Sequence, residues 1–140
     1  MRRKIFRRAL IGGTFVTVLL GSMVAFSGPA GATGIGCTYG SSNGNVYTCI
    51  YVNGSGAYVN YMQATAQVTS SGRVLQECLH NPSGGRIGCT AYTYVAPGGT
   101  LPYTWAPYNY VTSGDYCAVT WRQNSNGSTT QIGAICFLVQ

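Results

Sequence analysis

The stretch CAVTWRQNSNGSTTQIGAIC, Cys117 to Cys136, decides the fold. Valine, threonine, tryptophan and isoleucine flank Asn126-Gly127, so two runs of strand-forming side chains surround a dipeptide suited to a hairpin reversal. Asn-Gly favours a type I′ turn because both central residues of that turn take positive φ. A hairpin closed there brings Cys117 opposite Cys136, at a separation a disulfide can bridge.

The same arrangement occurs twice more. Cys37 and Cys49 bracket Asn43-Gly44, and Cys78 and Cys89 bracket Ser83-Gly84. The spacing therefore predicts three hairpin-closing disulfides, 37–49, 78–89 and 117–136. The runner-up is an inter-sheet bridge from Cys49 to Cys117, as in immunoglobulin domains. Against it, Tyr116 immediately precedes Cys117 rather than standing two residues before, and no tryptophan follows Cys49 at a suitable distance. Zinc is a poor reading of these cysteines, because short paired spacings are missing and the chain has one histidine.

The remainder is strand-and-turn composition. Val, Thr and Tyr are interrupted by Gly, Asn, Ser and Pro, and no stretch combines helix-forming residues with a 3.6-residue period. Strands are expected in VYTCIYV, AYVNYMQATAQV, RVLQECL, RIGCTAYTYV, YNYV, YCAVTWRQ and TQIGAICFLV. The fold class is all-β, a small disulfide-stabilised antiparallel β-sandwich. Trp121 alternates with Cys117 and Val119 and is expected in the core. The NGS sequences at Asn53 and Asn126 match a glycosylation sequon but are equally ordinary turn formers.

Residues 1–32 read as a secretory signal peptide. Arg2, Arg3, Lys4, Arg7 and Arg8 form a basic start, an apolar run extends from Ala9 to Phe26, and Ala30 and Ala32 occupy the small-residue positions of a cleavage site. The mature chain then begins at Thr33, a single domain over 33–140. An uncleaved anchor is the alternative, since the apolar run approaches the roughly 18 residues that begin to span a bilayer. Gly28, Pro29 and Gly31 argue for cleavage, because they break the helix where the peptidase needs extended backbone.

Setting the signal aside changes the charge. Arg73, Arg86 and Arg122 remain against Glu77 and Asp115, a net of about +1. Three scattered arginines cannot neutralise a row of phosphates, which excludes a nucleic-acid-binding face. An export signal and an even cysteine count place the protein in an oxidising, extracellular compartment, with the membrane involved only through the signal.

The candidate chemistry lies in ECLHNPSGGRIGC, Glu77 to Cys89. Ser83, His80 and Glu77 can be written as a nucleophile, base and orienter, but side chains three apart in a strand point to opposite faces. Glu77 and Asp115 are the only carboxylates of 33–140, and nothing in the sequence makes them converge on a glycosidic bond. All six cysteines are consumed by pairing, so no thiolate nucleophile is expected, and no metal or cofactor either. The stretch reads instead as a clamped loop, in which Pro82, Gly84 and Gly85 set the turn and Arg86 is either presented to a partner or simply solvated.

Aromatic composition says more about binding. All eleven tyrosines and both tryptophans fall in 33–140, in the Tyr, Gly, Ser and Asn palette of paratopes. The densest cluster is LPYTWAPYNY, where Tyr103, Trp105, Tyr108 and Tyr110 lie among Pro102 and Pro107. The prolines predict an irregular edge or loop, with the rings either exposed for binding or buried under the sandwich.

At CIYVNGSGAYVNY from Cys49 and GDYCAVTW from Gly114, the chain resembles small exported, cysteine-paired β-proteins of actinomycete-type Gram-positive bacteria. The resemblance implies the size class of small secreted protease and amylase inhibitors and of the small adaptor subunit of umbrella toxin particles. It assigns no functional residues. The expectation is a secreted, non-enzymatic binding or adaptor module whose partner is another secreted protein. Three alternatives stay open: a hydrolase inhibitor presenting Arg86 or the 101–110 segment, a glycan or cell-wall binder using Tyr103, Trp105 and Tyr108, and an adaptor subunit of a secreted toxin particle.

Overall fold

A computed structural model describes residues 32–40 and 45–140. The expected signal peptide over 1–32 lies outside the described residues except for Ala32, and the expected Asn43-Gly44 turn lies outside them too. Among those residues the protein has ten strands and no helix: β1 (Gly34–Tyr39), β2 (Val46–Ser55), β3 (Tyr58–Val68), β4 (Arg73–His80), β5 (Arg86–Cys89), β6 (Thr93–Val95), β7 (Thr100–Trp105), β8 (Asn109–Tyr110), β9 (Gly114–Gln123) and β10 (Thr129–Val139).

They form two antiparallel sheets. The first runs β1-β2-β3-β7, with β8 continuing the β7 edge along β3; the second runs β10-β9-β4-β5, with β6 continuing the β5 edge along β4. Alternation explains how they pack. Val46, Ile50 and Val52 on β2 and Met62, Ala64, Ala66 and Val68 on β3 are buried, facing Leu75 and Leu79 of β4 and Tyr116 and Ala118 of β9. Intervening residues such as Tyr47, Tyr51 and Tyr61 fall on the outer faces.

All three disulfides form as the hairpin argument predicts, and the Cys49–Cys117 bridge does not. Each joins residues that face each other in register, Cys37↔Cys49, Cys78↔Cys89 and Cys117↔Cys136, with Cα atoms 4.0–4.1 Å apart. Parity puts every one on an outer face. The disulfides staple neighbouring strands within each sheet, and the inner faces of the two sheets are joined by the apolar core and by a buried polar contact between Thr48 and Thr120.

Four expectations need correction. The turns at Ser83-Gly84 and Asn126-Gly127 are not type I′, since only Gly84 (φ 81°) and Gly127 (φ 82°) take positive φ. Both are longer reversals, closed by Gly84 N–H to Asn81 O and Asn81 N–H to Gly85 O, and by Gly127 N–H to Asn124 O and Asn124 N–H to Ser128 O. This is a type I turn followed by a left-handed glycine. Trp121 shares its parity with the outward Cys117, opposite Ala118 and Thr120, so it lies half-buried on the outer face of the second sheet.

The expected single strand RIGCTAYTYV is two, β5 and β6. Between them Thr90 keeps the β4 edge bonded, its N–H donating to Glu77 O at 2.9 Å and its Oγ1 accepting from Glu77 N–H at 3.0 Å. Strand β1 is expected only as the Cys37 arm of the 37–49 hairpin and not from its composition, because Gly34 and Gly36 lower strand propensity. Packing gives the reason for glycine: a Cβ on Gly34 would lie 2.6 Å from the Phe137 ring of β10. Only a residue without a side chain lets the two edges approach.

Candidate functional site

The residues of Glu77 to Cys89 are parted by the sheet. Glu77 points inward, wholly buried, while His80 has the opposite parity and Ser83 sits in the turn, bonded to Asn81 Oδ1 through its N–H (3.1 Å) and hydroxyl (2.8 Å). No nucleophile–base–orienter set is assembled. Asp115 is exposed near the start of β9 with the parity opposite to Thr120, the register partner of Glu77, so the two carboxylates do not converge.

Glu77 instead ends a polar thread through the core. The buried Thr48 hydroxyl of β2 lies 2.6 Å from that of Thr120 on β9, and the Thr120 hydroxyl donates to Glu77 Oε2 at 2.6 Å. Glu77 Oε1 is enclosed without a partner. Burial pushes the Glu77 carboxyl up to about 8, against the opposing pull of the Thr120 hydroxyl. This is a protonated structural acid at neutral pH, buried in the core. Desolvation, then the neighbouring Arg86 charge, holds the His80 imidazole below its usual range.

The loop is clamped by hydrogen bonds and a disulfide. Asn81 Oδ1 accepts from Ser83 and from Gly85 N–H (2.8 Å), and the 78–89 disulfide closes the base. Arg86 is exposed at the start of β5, opposite His80.

The aromatic segment divides. Thr100–Trp105 is an edge strand paired to β3, which is where Pro102 is tolerated, and it alternates. Tyr103 and Trp105 face inward and pack half-buried against the core, so they are not part of an exposed ring patch. Trp105 stacks on Tyr116, with ring centroids 6.2 Å apart. Tyr108 and Tyr110 are exposed, 65% and 76%. Tyr108 takes φ 47°, a left-handed backbone that costs a bulky residue on the order of 1–2 kcal/mol. Its carbonyl accepts from the Tyr58 hydroxyl at 2.9 Å, and Tyr58 meets Tyr110 edge-on with centroids 5.3 Å apart.

The two stretches that stood out separately in the sequence meet here. Asn81, Pro82 and Ser83 of the loop face Trp105, Pro107 and Tyr110 across a cleft of about 450 Å³, within the range of small-ligand and peptide sites. Tyr116 forms part of its lining, its hydroxyl bonded to Thr112 O at 3.0 Å. Arg86 is not in the lining, although its neighbour Ile87 is. Among the described residues, no group of three or more His, Cys, Asp or Glu is placed to hold a metal. Sequence reasoning missed Tyr116 as a site residue, and its only signal was its parity with Ala118.

In comparisons with known proteins, no family model and no curated protein matches the chain.

Proposed function

We propose that the protein is a secreted, non-catalytic binding module that grips an extended segment of another exported protein in the cleft between the 81–85 turn and the 105–112 segment. The observation that carries this reading is the strained Tyr108 beside that cleft. Left-handed backbone at a bulky residue is retained where surrounding structure over-determines it, and such strain clusters at functional positions. Both walls are stiffened, one by a disulfide and Asn81, the other by pairing to β3, which lowers the entropy lost on binding. Three disulfides in so small a protein fit an extracellular environment.

The test is capture from native culture medium by the oxidised, tagged protein, with mass spectrometry of the bound material. A stoichiometric exported partner is expected, lost with Tyr110→Ala and kept with Tyr94→Ala, which lies outside the cleft. Capture that survives Tyr110→Ala overturns the site, and the absence of any partner overturns the function.

One observation favours inhibition as a second reading. Arg86 is exposed directly beyond a hairpin closed by a disulfide, the type of presentation an acidic protease pocket accepts. Inhibition of a trypsin-like protease, abolished by Arg86→Ala, is its signature.

A further inference from the structure

Two of the three arginines of 33–140 share a second cleft. Arg73 and Arg122 line a depression of about 380 Å³ together with Gly72, Tyr94, Asn124 and Ser125. Topology puts them there. Arg122 stands opposite Leu75 in the β4–β9 ladder, and Arg73 lies two residues further along β4 on the same face.

No carboxylate lines this cleft. The two acids of 33–140 are committed elsewhere, Glu77 in the core against Thr120 and Asp115 near the far end of β9. Two like charges lining one cleft with no carboxylate in its walls repel each other in the free protein, and an incoming anion is attracted by both. Arg122 is also held in place. Its Nε–H donates to Asn124 Oδ1 at 3.0 Å, and the Asn124 amide donates in turn to Ser128 Oγ and Thr130 Oγ1, each at 2.9 Å. That support uses one edge of the guanidinium and leaves its terminal nitrogens to a ligand. Arg73 Nε is enclosed with no hydrogen-bond partner, a donor whose desolvation is uncompensated. Tyr94, 65% exposed, adds a ring among the lining residues.

We propose that this cleft is an oxyanion-binding site, in which Arg73 and Arg122 take one carboxylate, phosphate or sulfate group. Paired guanidinium forks match the two or more oxygens of such a group. Two arginines in one concavity serve a single anion; they do not make the extended stripe a nucleic acid requires. The site is separate from the Trp105–Tyr110 cleft and stands or falls independently of it.

The experiment is an NMR titration of the disulfide-bonded, ¹⁵N-labelled protein at constant ionic strength. Sodium sulfate, inorganic phosphate and N-acetylglycine are added in turn, with chloride as the reference. Saturable shifts are expected at the Gly72 and Ser125 amides and at Arg122 Nε–H with at least one of the three. The most effective probe distinguishes a carboxylate-bearing partner from a phosphate- or sulfate-bearing one. Arg122→Gln and Arg73→Gln should each weaken binding by roughly tenfold or more, as the loss of a charged hydrogen-bonding group implies. Asn124→Ala should weaken it less, while Arg86→Gln and Tyr110→Ala should leave it unchanged; retained amide dispersion reports that each variant folds. No saturation with any oxyanion, equal shifts with chloride, or undiminished binding in both folded arginine variants would overturn the proposal.

Discussion

Glu77 sets the protein's response to pH. A carboxyl wholly buried beside one hydroxyl donor is held in its neutral form, with its native value raised to about 8 from an ordinary 4.5. Because the folded state binds this proton more tightly than the unfolded chain, Glu77's contribution is fully present below about pH 4.5 and is lost as pH rises through about 8. Urea unfolding at several pH values should show midpoints that fall across that window. Glu77→Gln, which keeps the shape without the charge, should flatten the trend, and an unchanged slope in that variant would remove Glu77 as its source. The sequence made Glu77 look like a reactive group because its neighbours in the chain are polar. Its true partners, Thr120 and through it Thr48, lie 43 and 72 residues away from their respective bonding partners in the thread, Glu77 and Thr120. Only strand register brings them together.

Among the elements, hairpins carry the stability and one connection carries the strain. The 117–136 disulfide spans 19 residues, a loop whose closure contributes on the order of 3 kcal/mol in the chain-entropy account. The Cys117→Ala/Cys136→Ala variant should lose about that much in chemical denaturation, with strand content retained by circular dichroism. Tyr108 should behave in the opposite sense. Tyr108→Gly relieves the left-handed backbone between β7 and β8 and should raise the thermal midpoint, by about 1 kcal/mol of stability, while weakening partner capture. A lower midpoint would mean that the ring's contacts outweigh the strain. Most strands were legible as alternation between turn residues. β1 was not, because its glycines signal close approach to Phe137, and that neighbour is absent from the local sequence. The type of the Asn126-Gly127 turn was misread because the loop begins at Asn124, two residues earlier than the dipeptide suggests.

Across the whole molecule, charge is segregated. The first sheet, β1, β2, β3, β7 and β8, contains no Asp, Glu, Lys or Arg, and the charged residues of 33–140 all stand on β4, β5 and β9. The sandwich thus has one neutral, tyrosine-bearing outer face and one sheet that holds every formal charge of 33–140. The paired cysteines made the architecture readable, since each pair fixes two strands in register. The clefts were not readable: the first joins the 81–83 turn to the 105–112 segment only when the two sheets are stacked, and the second joins β4, β6 and β9 only through strand register. The outward placement of the disulfides has a chemical consequence. Cys37 and Cys136 are exposed, whereas Cys78 is fully buried. A thiolate reductant therefore reaches 37–49 and 117–136 through an exposed cysteine of each, whereas 78–89 offers only the half-buried Cys89 until the β4–β5 edge opens. Stepwise reduction with alkylation and peptide mapping should find 78–89 as the last bridge to yield, so a reducing milieu would loosen the frame before it frees the loop beside the Tyr110 cleft.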